Sequence, residues 1–252
     1  MKALGYVPPL FAHAPMILGE DGSRLSKRHG AVSVIAYREI GILPNALKNY
    51  LLRLGWSHGD QELFTEEEMI ELFSLDAVNG AASAFSLEKL NWVNQQHIKT
   101  RPTEELLPEF LYHAEQLELN LGPDQQLVND VIDAQRDRAN NMKHMVEDSR
   151  FYFEDVTSKD EKAVDKHFNE NTANILSVVK EHLNNADWNS ESVMTAIKSS
   201  CEALELKMGK VGPALRIALL GTASSPSLDV TLLLIGKERS IQRLEQTIVE
   251  LA

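Results

Sequence analysis

Cysteine is almost absent, with Cys201 the only one in 252 residues. One thiol builds no internal disulfide and no cysteine-rich zinc site, and it fits a reducing, cytoplasmic setting. Long apolar runs are missing as well. No stretch approaches the ~18 uncharged apolar residues of a membrane span, and the opening "MKALGYVPPLF" lacks the apolar core of a secretory signal. The eight histidines are scattered without a pair at metal-ligand spacing, so no metal site is expected. No Ser/His/Asp or Cys/His set forms a coherent nucleophile. Positive charge is in deficit, 25 Lys and Arg against 37 Asp and Glu, for a net charge of −12. Over the whole chain that argues against nucleic acid, whose phosphates need cations. The deficit is uneven, however. Acidic residues cluster in "TEEEMIE", "RPTEELLPE" and "NSESVMTAIKSSCEALE"; cationic ones gather in "SRLSKRHG", "DAQRDRANNMKH" and "KMGKVGPALR". The chain is acidic on average and basic in two or three places.

What is present is helix. Hydrophobic residues make up 43% and charged residues 25%, the composition of a folded domain. "PNALKNYLLRLG" puts Leu47, Tyr50, Leu51 and Leu54 on one stripe, between Pro44 and Gly55. "TEEEMIELF" has Thr65 and Glu68 at capping-box spacing. "SLEKLNWVNQQHI" offers Leu87, Leu90 and either Trp92 or Val93 for burial. "TEELLPEFLYHAEQLEL" turns Leu106, Phe110 and Leu117 inward, and Pro108 predicts a late start or a kink. "QLVNDVIDAQRDRANNMKHMVEDSRFYF" reads as two helices broken near Ala139 to Asn141, with Leu127, Val131, Ile132, Met142 and Met145 at helical spacing. "NILSVVKEHL", "SESVMTAIKSSCEALEL", "VGPALRIALLG", "SLDVTLLLIG" and "ERSIQRLEQTIVEL" complete the set. Only Leu10 to Leu18 looks strand-like. Polar joints lie at Lys99 to Glu105 and at Glu154 to Lys162. The reading is all-α, in at least two domains, after a short leading segment.

One loop carries chemistry. "GEDGSRLSKRHGAV", Gly19 to Val32, offers flexible entry through Gly19 and Gly22, then the Ser26 hydroxyl and the Lys27 ammonium. A lysine is a compact charge that can follow a polyphosphate and stabilise a leaving pyrophosphate. The other reading is a basic surface turn. Spacing alone favours the turn, because short Lys/Ser motifs have many chance matches.

Context reverses that preference. "DGSRLSKRHGAVSV" followed by "NYLLRLGWSHGDQELFT" resembles glutamyl-tRNA synthetase, a class I aminoacyl-tRNA synthetase of bacterial type. The family's signature loop reads Lys-Met-Ser-Lys-Ser or Lys-Leu-Ser-Lys-Arg; here it is Arg24-Leu25-Ser26-Lys27-Arg28. The resemblance places the ATP- and pyrophosphate-contacting lysine on Lys27, and Arg24 replaces the first lysine. "SAFSLEKLNWVNQQHI" is similar to the family's Phe-x-x-x-Lys-Leu-x-Trp-x-Asn segment, and "KMGKVGPALRIALLGTASSPSLDVTLLLIGKERSIQRL" to its closing segment.

The resemblance implies an organisation. Residues 1–32 end a catalytic α/β domain, 33–100 form a helical stem-contact region, and 101–160 and 161–252 form a two-part helical anticodon-binding domain. The His-Ile-Gly-His-type motif and the opening βαβ unit are absent. The chain is therefore expected not to activate glutamate alone, and its first ~20 residues, lacking neighbouring strands, are expected to be loosely held. ATP and Mg2+ belong to the whole enzyme, with none expected on this chain, which is expected to be a cytoplasmic monomer. The implied partner is tRNA(Glu). Arg138 aligns with an arginine that contacts the third anticodon base, Arg216 with one that meets the anticodon loop, and Ser225, Pro226 and Leu228 with the turn beside it. Without the resemblance each has a plainer reading. Arg138 is a surface arginine, Arg216 snorkels from a core helix, and Ser225 and Pro226 are the cap and first residue of a helix. Arg136 is a phosphate or solvent contact, Trp56 is a packed aromatic, His58 is a turn residue, and the "RFYFED" aromatics are packing residues. Two rival functions are a free-standing tRNA-binding or regulatory module and a helical interaction domain with no RNA role.

Overall fold

Capping chemistry written in the sequence sets where several helices begin. The computed structural model describes residues 1–9, 11, 13, 15–25 and 33–252. These divide into two units, one of Met1–His113 with Arg136–Met145, the other of Ala114–Gln135 with Val146–Ala252.

In the first unit, α2 (Pro44–Arg53) opens on proline, where the missing N–H is no loss. It buries Ala46, Leu47 and Tyr50 and packs against α4 (Leu87–Thr100). Leu51 is turned outward, 42% exposed, so the predicted stripe is narrower than four residues. On α4, Leu90, Val93 and Ile98 are buried, whereas Leu87 and Trp92 lie on the outer face. Of the two candidates, Val93 takes the core. The Trp92 ring instead carries the Lys89 ammonium at 4.0 Å from its centroid. α1 (Val34–Glu39) precedes them. α3 (Glu66–Leu72) has the full capping box: Thr65 Oγ1 accepts from the Glu68 N–H at 3.2 Å, and Glu68 Oε2 accepts from the Thr65 N–H at 2.8 Å.

A buried polar cluster ties the loop before α3 to α2 and α4. Asn49 donates from Nδ2 to the Glu62 carbonyl at 2.9 Å, and its Oδ1 accepts from the Phe64 N–H at 2.9 Å. That orientation aims Oδ1 at His97 Nε2, 3.0 Å away, so the imidazole donates there. Burial, helped by the nearby Arg101 charge, pushes His97 down to about 4, and the ring stays neutral near pH 7.

Among the described residues the predicted strand is represented by β1 (Ile17–Leu18), which pairs in parallel with β2 (Ser83–Ala84), Ile17 opposite Ser83 and Leu18 opposite Ala84. Leu10, Ala12 and Ala14 lie outside the described residues. Pro8, Pro9 and Pro15 have no N–H for a ladder, which limits pairing upstream. Contrary to expectation, β1 does find a neighbouring strand. Before it, Leu4, Tyr6, Val7 and Phe11 are exposed.

α5 (Thr103–Gln116) begins five residues ahead of Pro108, not after it. The missing N–H forfeits a bond only to the Glu104 carbonyl, in the first turn of the helix, where both residues are exposed and water can substitute. Leu106 and Phe110 are buried as expected, while Leu117 and Leu127 are only half-buried. α6 (Gln125–Gln135) and α7 (Met142–Glu147) are separate helices, broken where the sequence predicts.

The second unit centres on α10 (Thr172–Asn185), packed against α11 (Ser190–Ala203) and α14 (Lys237–Glu250). Leu176, Val179, Leu183, Val193, Ile197 and Leu244 are completely buried there. α9 (Glu161–His167) packs on α12 (Met208–Leu220), and α13 (Leu228–Ile235) packs on α11 and α14. Cys201 is a buried small hydrophobe. α14 also supplies two arginines to helix ends. Arg243, 6% exposed, donates to the carbonyls of Leu219, Phe151 and Glu154, each at 2.8 Å. Arg239 donates to the carbonyls of Tyr152 (2.7 Å) and Glu154 (3.1 Å). These carbonyls lie at the C-terminal ends of α8 (Arg150–Phe153) and α12, where backbone acceptors lack helical partners. Among the described residues no helix is long and apolar enough to cross a membrane.

Candidate nucleic-acid interface

The signature loop opens from a hydrogen-bonded turn, not a loose one. The Gly19 N–H donates to the Ser23 carbonyl (2.8 Å), the Gly22 N–H to the Gly19 carbonyl (3.0 Å), and the Leu25 N–H to the Ile17 carbonyl (3.0 Å). Asp21 accepts from the Ser23 backbone and hydroxyl, at 3.0 and 3.1 Å. Gly22 has φ +75°, which explains the glycine. Arg24 is exposed and bridges antiparallel to Leu18, and Leu25 is half-buried. Ser26, Lys27 and Arg28 lie outside the described residues.

Arg138 is exposed on the turn between α6 and α7, within the segment that belongs to the first unit. That segment is held on both flanks. Arg136 reaches back to the Arg101 carbonyl (3.0 Å) and to Thr103 Oγ1. The expectation of a phosphate or solvent contact for Arg136 is thereby corrected, because its guanidinium anchors the turn at the α4–α5 joint. On the other flank, completely buried Asn94 donates to the carbonyls of Asn140 (3.1 Å) and Gly41 (3.2 Å), and its Oδ1 accepts from the Leu43 N–H (2.8 Å). The Met142 N–H also donates to the Gly41 carbonyl, at 2.9 Å. The short turn that carries Arg138 is thus fixed on both sides.

In the second unit, Arg216, Ser225, Pro226 and Leu228 come together, although nine residues separate Arg216 from Ser225. Arg216 is half-buried on α12 and donates from Nε to Ser225 Oγ at 3.0 Å. The Ser225 hydroxyl donates to the Pro226 carbonyl at 2.8 Å and accepts from completely buried Thr231 at 3.3 Å. Gly212, one turn before Arg216, leaves room for the guanidinium: a Cβ there would lie 3.4 Å from Arg216 Nη1 and 3.7 Å from Leu228 Cδ1. Pro226 and Leu228 are buried, and Ser224 and Ser227 form the exposed part of the turn. Ser225 is not a helix cap. α13 starts at Leu228 with Ser227 in the cap position, because the Ser225 hydroxyl is engaged by Arg216 and Thr231.

Other sequence candidates have structural partners. Trp56 is 2% exposed and packs edge-on against Phe64, with His58 stacked on it at 6.0 Å. Tyr152, in the "RFYFED" run, is completely buried. Among the described residues no group of three His, Cys, Asp or Glu could hold a metal ion. Sequence reasoning missed Gly41, Asn94, Gly212 and Thr231, which support the two arginines. Only Asn94 left a signal, as the asparagine of the Trp-x-Asn segment.

Comparison with known proteins bears on the family and the fold. Residues 102–248 match the family described as anticodon binding domain. Residues 1–92 match the family described as tRNA synthetases class I (E and Q), catalytic domain. The fold is similar to that of a glutamate tRNA ligase from Elizabethkingia meningosepticum, solved in complex with its amino acid: TM-score 0.86 and 33% identity, covering 100% of this chain and 53% of that one. It is also similar to a glutamate-tRNA synthetase from Elizabethkingia anophelis, with TM-score 0.81 and 31% identity, covering 98% of this chain and 52% of that one. The chain spans about half the length of these relatives. Both family matches fall in the order that the sequence motifs suggested, and the chain belongs to the class I tRNA synthetases of the glutamate and glutamine group, with their anticodon-binding domain.

Proposed function

We propose that these 252 residues are the tRNA(Glu)-recognition part of a glutamate–tRNA ligase, reading the anticodon through Arg138 and Arg216. The observation that carries this reading is the anticodon-binding match over residues 102–248, which contains both arginines, each on a braced element. Single-stranded loop bases are read at splayed edges by such guanidinium groups. In the whole enzyme the reaction joins glutamate to tRNA(Glu) by way of glutamyl-adenylate, in the cytoplasm. ATP and Mg2+ supply the activation, and Lys27 of the signature loop meets the nucleotide's phosphates.

On this reading these residues alone bind RNA without catalysis, as they span about half the length of the relatives they match and the catalytic-domain match ends at residue 92. The same observation favours a second reading, a tRNA-binding module that works without a catalytic partner. ATP–pyrophosphate exchange with glutamate and tRNA(Glu) present is expected at blank level for this chain, and turnover above blank would contradict the division of labour. Exchange restored by adding the amino-terminal half of a glutamate–tRNA ligase favours the first reading over the second. In anticodon stem-loop titrations, Arg138→Ala and Arg216→Ala are each expected to weaken binding roughly 5- to 150-fold, the worth of a good bidentate base contact. Parent-like binding by both variants would displace the site.

A further inference from the structure

Ser225 sits where the family resemblance puts a contact to the RNA, but its atoms are turned inward. A serine hydroxyl has one proton to donate and two lone pairs to accept with. The proton goes to the Pro226 carbonyl at 2.8 Å, and the acceptor sites take Arg216 Nε at 3.0 Å and Thr231 Oγ1 at 3.3 Å. The hydroxyl is fully engaged within the protein, and the residue is only 7% exposed. Arg216 differs: it is half-buried, and its guanidinium passes over Gly212, where a Cβ would lie 3.4 Å from Nη1. A guanidinium fixed through Nε has its plane set while the rest of its fork keeps its direction.

We propose that Ser225 is a positioning residue for Arg216 and that Thr231 holds the serine in place, so Ser225 acts on anticodon recognition through the arginine and not by touching a base. Leu228 and Pro226, both buried, shape the turn that presents the pair. The inference rests on the anticodon reading above for its RNA consequence. The Arg216–Ser225 coupling itself stands on the geometry.

Two measurements separate these levels. The first is a double-mutant cycle on anticodon stem-loop binding. Ser225→Ala is expected to weaken binding on the order of tenfold, as loss of a hydrogen bond to a charged group does, and Ser225→Thr to bind like the parent. The double variant Ser225→Ala with Arg216→Ala is expected to bind no more weakly than Arg216→Ala, since removing the arginine leaves nothing to position. A full additional loss in the double variant would overturn the proposal and make Ser225 a direct RNA contact. The second measurement needs no RNA. The Arg216 Nε–H proton, followed by nitrogen-15 NMR, is expected to exchange slowly with solvent in the parent and faster in Ser225→Ala. Unchanged exchange would overturn the positioning role. If the parent fails to bind the stem-loop while the exchange result holds, the anticodon reading is lost and the coupling survives.

Discussion

Replacing Gly41 by alanine is expected to destabilise the first unit by roughly 3–5 kcal/mol, through left-handed strain and overpacking together. Gly41 has φ +89°, where a side chain is strained in any surroundings. Its surroundings add a second penalty. A Cβ would lie 2.5 Å from the Lys143 backbone nitrogen, 2.9 Å from that of Met142 and 2.8 Å from Asn141 Oδ1. Backbone atoms cannot swing aside as a flexible side chain can, so the segment itself must move. That segment follows Arg138, and the bonds from Met142 and Asn94 to the Gly41 carbonyl hold it. Stability and RNA binding should therefore fall together. Urea unfolding followed by tryptophan fluorescence, with Trp56 and Trp92 in the first unit, checks the stability. An unchanged midpoint would mean that the close approach does not hold the turn.

The second large effect is expected at Arg243. Arg243→Ala should cost about 3–5 kcal/mol, because removing one side of a buried charged network strands the other. Three carbonyls, of Leu219, Phe151 and Glu154, lose a donor in a dry interior. Burial and the neighbouring Arg239 charge push the Arg243 guanidinium down to about 10, so it stays charged near neutral pH. Arg243→Lys is expected to recover only part of the loss, since one ammonium cannot reproduce a planar fork that reaches two helix ends. Thermal unfolding of the two variants checks this ordering, and a lysine variant as stable as the parent would contradict the clasp.

These two sites also show where sequence reading stops. Helices were legible because their apolar positions recur at the helical period, and Thr65 with Glu68 announced its own cap. Periodicity overestimated burial at Leu51 and Leu87, since a stripe does not reveal how wide its partner is. Pro108 did not delay its helix, because a proline near a helix start removes a bond that water can replace. Arg138 and Arg216 were visible only through motif resemblance, and nothing local reveals that Asn94, Gly41 and Ser225 hold them. Such residues act through partners far away in the chain: Asn94 reaches Asn140 and Gly41, and Ser225 reaches back to Arg216. The plain reading of Ser225 as a cap failed for the same reason. A hydroxyl already engaged by an arginine and a threonine is not available to a helix end.

The central claim is that this acidic chain recognises the anticodon of tRNA(Glu). Its most direct test is an equilibrium titration with tRNA(Glu) and with the same tRNA altered only at the third anticodon base. The account predicts saturable binding of the first and weaker binding of the second by roughly 5- to 150-fold. Equal binding of the two tRNAs, or no binding of either at low salt, would contradict it.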